Sequence, residues 1–220
     1  MNRATTSALS NIIACSISKE DLADLPIQRY GGDVRMVATA QDLEHALEDI
    51  SRENVVGLDT ETRPSFRKGE SYLPCLVQVA TARAAYLFQL SQVDAFPLLT
   101  ELLETSRIAK AGVALAHDLR SLKGVFPFEQ RNVIDLGLIA RGCGLSQTGL
   151  RNLAGIFLGI RIPKGNRTSN WAARRLSEAQ ITYAATDAWV CRELFLRFET
   201  LGLLAAPPPV ARTASGPRGA

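Results

Sequence analysis

Two carboxylates one residue apart, Asp59 and Glu61, close an apolar, β-branched run in V-V-G-L-D-T-E-T, Val55 to Thr62. Side chains alternate along a strand, so both acids point to the same side of it. Like charges about 7 Å apart on one strand face repel each other and gain nothing from burial unless a cation or an arginine lies between them. A strand that simply runs out into solvent at Asp59 has the same eight residues, so the other acids of the chain matter. Tyr183 and Asp187 are four residues apart in I-T-Y-A-A-T-D-A, which puts them one turn apart on a helix face. Ala184, Ala185 and Ala188 leave that face open to close approach. Asp118 follows an apolar stretch and begins a helical pattern, where an aspartate serves as a ligand or equally as a cap for free amides.

The elements that must carry these side chains follow from periodicity. Asp33 to Thr39 reads as a short strand, and Thr39 with Asp42 as a capping box opening a helix, Gln41 to Ile50, with Leu43, Ala46, Leu47 and Ile50 on its apolar face. After the carboxylate strand comes a basic loop, R-P-S-F-R-K-G-E-S from Arg63 to Ser71. Leu73 to Ala80 and Ala84 to Leu90 then form two β-rich runs around a turn at Thr81 to Arg83, so the first three core strands should make an antiparallel meander. Val93 to Thr105 reads as a helix, Arg107 to Leu115 as a strand, Asp118 to Phe126 as a helix, Val133 to Leu136 as a brief apolar stretch and Gly149 to Leu158 as another helix. Ser177 and Gln180 cap a final helix reaching about Leu201, roughly 35 Å long. The expected class is α/β, a mixed sheet of about five strands flanked by helices.

With 220 residues and 46% hydrophobic content, the chain can bury a full core in one domain of about 150 to 180 residues plus tails. A net charge of +3 permits nucleic-acid binding without requiring it. Gly202 to Ala220 holds Arg212 and Arg218 and no acid, so affinity for nucleic acid should rest on local placement of Arg and Lys. Cys15, Cys75, Cys143 and Cys191 are far apart and form no C-x-x-C pair, which argues against a zinc site and a disulfide framework. Free thiols in a reducing cytosol are expected. Ile12 to Cys15 is too short for a signal peptide, and no segment approaches the ~20 apolar residues of a membrane span. The expectation is a cytoplasmic protein with no membrane contact. Residues 1–26 read as a mobile leader, 27–203 as the folded domain, and 204–220 as a disordered tail of Pro, Gly and Arg.

Taken in order, D-x-E, then D, then Y-x-x-x-D resembles the DEDDy group of 3′→5′ exonucleases, whose fold is ribonuclease H-like. The likeness extends further. Ser169 to Ala188, S-N-W-A-A-R-R-L-S-E-A-Q-I-T-Y-A-A-T-D-A, is similar to the third exonuclease motif of the Werner-syndrome and ribonuclease D families. Arg63 to Gly69 is similar to the loop after the first motif in Werner-like exonucleases, and Lys110-Ala111-Gly112-Val113 leads into Asp118 as it does there. The resemblance covers roughly Ile27 to Leu201. Ribonuclease D has further C-terminal helical domains and the Werner protein a helicase, so the expectation here is a free-standing exonuclease domain.

The resemblance implies a metal-dependent nuclease. Two ions about 3.5 to 4 Å apart can activate a nucleophile and stabilise the leaving oxygen of a phosphodiester, and Mg²⁺ or Mn²⁺ prefers the oxygen ligands that four carboxylates offer. By the same resemblance, Asp59, Glu61 and Asp187 would hold the ion that binds the attacking water. Asp59 would bridge to a second ion, and Asp118 would help through bound water. Tyr183 would orient the attacking water, since a phenol with a pKa near 10 is a poor free base. The expected nucleic-acid contacts are Thr60, Arg67, Lys68, Lys164 and Arg167, the basic ones placed to meet phosphates near the 3′ end. Trp171 is either a base-stacking platform or, as the S-N-W motif of the family implies, a structural anchor. His117 need not be a base. The expected partner is the 3′ end of DNA or RNA, with a short-oligoribonucleotide nuclease and a non-catalytic nucleic-acid-binding module as the alternatives and the oligomeric state left open.

Overall fold

The computed structural model describes residues 16–67, 69–165 and 169–205. Lys68, Arg167, the leader up to residue 15 and the tail from residue 206 lie outside the described residues.

Six strands form one sheet in the order β1-β4-β3-β2-β5-β6: β1 (Asp33–Val37), β2 (Val55–Thr62), β3 (Pro74–Ala80), β4 (Ala84–Gln89), β5 (Ala109–Gly112) and β6 (Val133–Asp135). β2, β3 and β4 are the expected antiparallel meander, while β1 joins β4, β5 joins β2 and β6 joins β5 in parallel. The sixth strand is one more than the pattern predicts. Three residues are too few to show a period, and Val133–Asp135 is extended because it pairs with Lys110–Gly112.

The helices are α1 (Lys19–Asp24), α2 (Ala40–Ile50), α3 (Phe96–Glu104), α4 (Leu115–Leu122), α5 (Leu136–Gly142), α6 (Leu150–Leu153) and α7 (Glu178–Thr200). Both predicted capping boxes are present, Thr39 with Asp42 and Ser177 with Gln180. At 23 residues α7 is the long helix expected from the sequence. Helix α6 runs on as a π-helical turn, Ala154–Leu158, and stops at Gly159, whose φ of 65° is left-handed.

Two segments differ from expectation. Residues 17–25, read as the end of a leader, fold onto the domain. Ser18 caps α1, the Ile17 N–H donates to Gln147 at 3.0 Å, and Ile17, Leu22 and Leu25 crowd the Cα of Gly155. Three apolar residues in a polar stretch have too little periodicity to announce a helix until a facing glycine gives them somewhere to pack. Helix α4 begins at Leu115 rather than Asp118, after Ala114 in the left-handed region at φ 62°. Asp118 therefore sits inside the first turn, and its side chain caps nothing.

The sheet separates two layers. Val56, Leu58, Val77, Val79, Tyr86 and Phe88 pack on one face with Ile50, Leu99, Leu103, Leu119 and Leu122 of α2, α3 and α4. The opposite face is crossed by α7, where Leu76 and Leu87 meet Trp171 and Ala184. Lys110 of the K-A-G-V stretch is fully buried, and its Nζ donates to the Thr105 carbonyl at the end of α3 at 2.6 Å. Desolvation lowers its pKa to about 8, and its role is structural, satisfying a helix C-terminus. Among the described residues no helix is long and apolar enough to cross a membrane.

Candidate active site

Close packing of α7 on β2 builds the site. A β-carbon on Gly57 would lie 2.9 Å from both the Ala188 carbonyl carbon and the Arg192 nitrogen, so helix and strand touch backbone to backbone. Arg192 and Glu53, both largely buried, pair at 3.3 Å and fix the helix against the entry to β2. Five residues back from Arg192, Asp187 is carried over the carboxylates of β2.

There Asp59, Glu61 and Asp187 each offer a carboxylate oxygen within 4.8 Å of the others. Glu61 is 8% and Asp187 6% exposed, while Asp59 is half-buried. The fourth acid, Asp118, is half-buried and flanks the trio without joining it, although its charge reaches Asp59. Beyond Glu61 the β2–β3 register shifts, so Thr62 faces Pro74 and the chain leaves the sheet for the basic loop.

The electrostatics are those of acids crowded together away from water. Removal from water raises the Asp59 pKa well above the usual range, the charges of Asp187, Glu61 and Asp118 add to this, and only the Thr60 backbone N–H opposes it. Burial lifts Asp187 to about 6, against the pull of the Tyr183 hydroxyl, which hydrogen-bonds its carboxylate, and of Arg151. Burial, with Asp135 and against His117, raises Asp118. Tyr183 is pushed up by burial and by Asp187, then Glu61 and Asp59, so its phenol stays protonated at neutral pH. Three oxygen ligands this close suit a hard divalent cation, which would relieve the repulsion. The Cys191 thiol is buried with a strongly raised pKa and so is held protonated, a poor ligand.

Tyr183 itself is held in place. Its ring centroid lies 5.9 Å from that of Trp171, and a β-carbon on Gly165 would come 2.7 Å from its Cγ and nearer still to the ring edge. Trp171 is wholly buried, which answers the open question about it: it supports Tyr183 from the core and presents no face to a base.

Two clefts meet at Tyr183 and Asp187. One, of about 420 Å³, is lined by Arg29, Lys164, Glu178 and Thr182. The other, of about 380 Å³, is lined by Arg151, Asn152 and again Lys164. Lys164 thus borders both. Thr60 lies opposite Val77 and so turns its side chain to the sheet face away from the acids, leaving its backbone N–H to Asp59. Arg67 is highly exposed and 4.0 Å from Glu70 within the basic loop, lining neither cleft.

Three residues escaped the sequence reading. Arg151 sits on an ordinary helical pattern, and its Nε donates to the Ile162 carbonyl at 3.1 Å on the wall of the second cleft. Arg29 precedes the Gly31-Gly32 turn, a place that carries no catalytic signature. Phe66, 82% exposed in the basic loop, had a readable signal, an aromatic ring among arginines and a lysine.

Residues 34–202 match a family model described as 3′-5′ exonuclease. Ribonuclease D of Gluconacetobacter diazotrophicus is 33% identical over 168 residues, covering 74% of this chain and 42% of the relative. The bifunctional 3′-5′ exonuclease/ATP-dependent helicase WRN of Mus musculus is 31% identical over 201 residues, covering 86% of this chain and 14% of the relative. The chain thus spans less than half the length of these two curated relatives. Among solved structures, the Aedes aegypti Nibbler EXO domain has a TM-score of 0.71 at 23% identity over 83% of this chain and 95% of that one. The mixed sheet flanked by helices is accordingly the ribonuclease H-like exonuclease fold.

Proposed function

Because the chain belongs to the 3′-5′ exonuclease family, we propose that it hydrolyses a nucleic acid, DNA or RNA, from its 3′ end and releases nucleoside 5′-monophosphates. The observation that carries this reading is the convergence of Asp59, Glu61 and Asp187 within 4.8 Å, with Tyr183 bonded to Asp187.

Asp59, Glu61 and Asp187, with Asp118 acting through water, would hold two divalent ions, Mg²⁺ or Mn²⁺, which when bound supply a nucleophile at neutral pH and stabilise charge on the leaving oxygen. The chain's own groups do the rest. Tyr183 keeps its proton, which it directs to Asp187, and its phenolic oxygen is left to accept from the attacking water, so it orients the nucleophile and does not act as a base. Trp171 and Gly165 hold the ring, which keeps the hydroxyl in one place. Lys164 and Arg151, on the walls that meet at Asp187, offset the negative charge of a phosphodiester drawn toward a cluster of acids. Arg67, Lys68 and Arg167 belong to the same proposal as further contacts along the strand, whereas Thr60, its side chain turned to the other face of the sheet, does not. His117 is exposed, beside Asp118, and has no part in the proton transfers.

The test is degradation of 5′-labelled single-stranded RNA, single-stranded DNA and recessed-3′ duplex DNA, side by side, with Mg²⁺, Mn²⁺ or EDTA, by wild type and Asp59→Ala. A metal-dependent ladder shortening from the 3′ end, absent from the variant, is expected, and the fastest substrate identifies the polymer. No ladder on any substrate with either metal overturns the reading in favour of a binding module.

A further inference from the structure

The side chain of Gln78 is 0% exposed, and neither its Nε2 nor its Oε1 has a hydrogen-bond partner. A buried amide in that condition is destabilising, unless another state of the site brings it a partner. Its position says which partner that is. Gln78 is directly opposite Asp59 in the β2–β3 register. Paired residues share a face of the sheet with β-carbons about 4.5–5.5 Å apart, and this is the face that α7 covers, since Leu76, two residues before Gln78, and Leu87, its partner on β4, pack there against Ala184 and Trp171. The same register puts Leu76 opposite Glu61 and Ala80 opposite Gly57. Gln78 is therefore the one polar side chain that β3 sends to this face between those two.

The chemistry is complementary. An ionised carboxylate only accepts hydrogen bonds, and a carboxamide nitrogen carries two donors. A carboxylate has about four acceptor positions, which leaves room for a second donor. Both backbones are already in register, so only side-chain torsions need to change.

We propose that Gln78 is a positioning residue of this site, its Nε2 donating to the Asp59 carboxylate when a cation occupies the acidic trio and so fixing the oxygen that Asp59 presents. The inference rests on the metal-dependent reading above. A partner that orients a ligating carboxylate typically changes metal affinity or activity by 10- to 100-fold when lost.

The test is Gln78→Met, which removes both unsatisfied atoms at nearly constant volume. Mn²⁺ affinity is measured by titration calorimetry, kcat and KM on a short 5′-labelled oligonucleotide, and thermal stability in chelator. Expected are an unchanged or higher metal-free melting temperature, a loss of Mn²⁺ affinity of about tenfold, and a kcat that falls with it while KM holds. An amide that only fills space would leave affinity and kcat within twofold of wild type, and that result overturns the inference. Gln78→Asn keeps the amide but draws the donor back by one C–C bond, about 1.5 Å. The same losses are expected there, and it decides the matter should the Met variant not fold. Wild type that neither binds Mn²⁺ nor shortens any substrate overturns both the exonuclease reading and this one, whereas active wild type matched by both variants overturns only the role of Gln78.

Discussion

Gly57 of β2 lies so close beneath Ala188 of α7 that a β-carbon there would fall 2.9 Å from the Ala188 carbonyl carbon and closer still to its oxygen. Both obstacles are backbone, so neither can swing aside. Because Asp187 precedes Ala188 and Asp59 follows Gly57 by two residues, this contact also sets the distance between the carboxylates.

Gly57→Ala should therefore damage fold and site together. Overpacking of this kind costs on the order of 3 kcal/mol, which for a domain of this size is a fall of about 10 °C in melting temperature. Turnover should drop more than tenfold even where the protein remains folded, because α7 must move outward with Asp187. Thermal melts and single-turnover assays check this, and a variant with the stability and rate of wild type would show that the contact relaxes without consequence.

The acidic trio should make the metal-free protein less stable as pH rises. Asp187 has a folded pKa of about 6 against an ordinary aspartate value of 3.8, so between those values the unfolded chain has lost a proton that the folded chain keeps. Stability is full below about pH 4 and is lost as pH rises through 6, by about 3 kcal/mol from this group alone. Asp59, raised for the same reason, extends the loss upward. The difference between wild type and Asp187→Asn in melts from pH 4 to 8 in chelator isolates the effect, and Mn²⁺ should flatten the wild-type curve. A difference that stays constant across pH 6 contradicts this account.

Tyr183→Phe removes the hydroxyl and keeps the ring that rests on Trp171 and Gly165. Folding and Mn²⁺ affinity should stay near wild type, while kcat falls by about 100-fold with little change in KM. A loss confined to KM would move Tyr183 from orienting the nucleophile to binding the substrate.

Phe66 is 82% exposed, four residues beyond the end of β2, with Arg63 stacked over Tyr72 at 4.5 Å in the same loop. An exposed ring among arginines suits an unpaired base, and such stacking is worth about 1–3 kcal/mol per base. Phe66→Ala should raise KM for a single strand about tenfold and leave kcat and melting temperature unchanged. Equal KM values would make the ring a bystander.

The chemistry of the site was legible in the order of residues. Asp59 and Glu61 share a strand face and Tyr183 and Asp187 a helix face because secondary structure has fixed periods, and the capping boxes at Thr39 and Ser177 mark where α2 and α7 begin. The antiparallel meander followed from short turns between β-rich runs, a local property too. What needed the tertiary structure was every relationship set by contacts distant along the chain. Val133–Asp135 is a strand only because β5 is beside it, residues 17–25 fold because Gly155 leaves room, and Trp171 is core because Leu76 and Leu87 surround it. Arg151 reaches the site beside Ile162, eleven residues along the chain, whose carbonyl its Nε bonds, a contact that no spacing rule announces. Gln78 alternates like any strand residue, and only its register opposite Asp59 turns an ordinary polar side chain into a buried amide awaiting a partner. The sequence determined which side chains share an element's face; packing between elements decided which faces meet, because a strand or helix period carries no information about its neighbour.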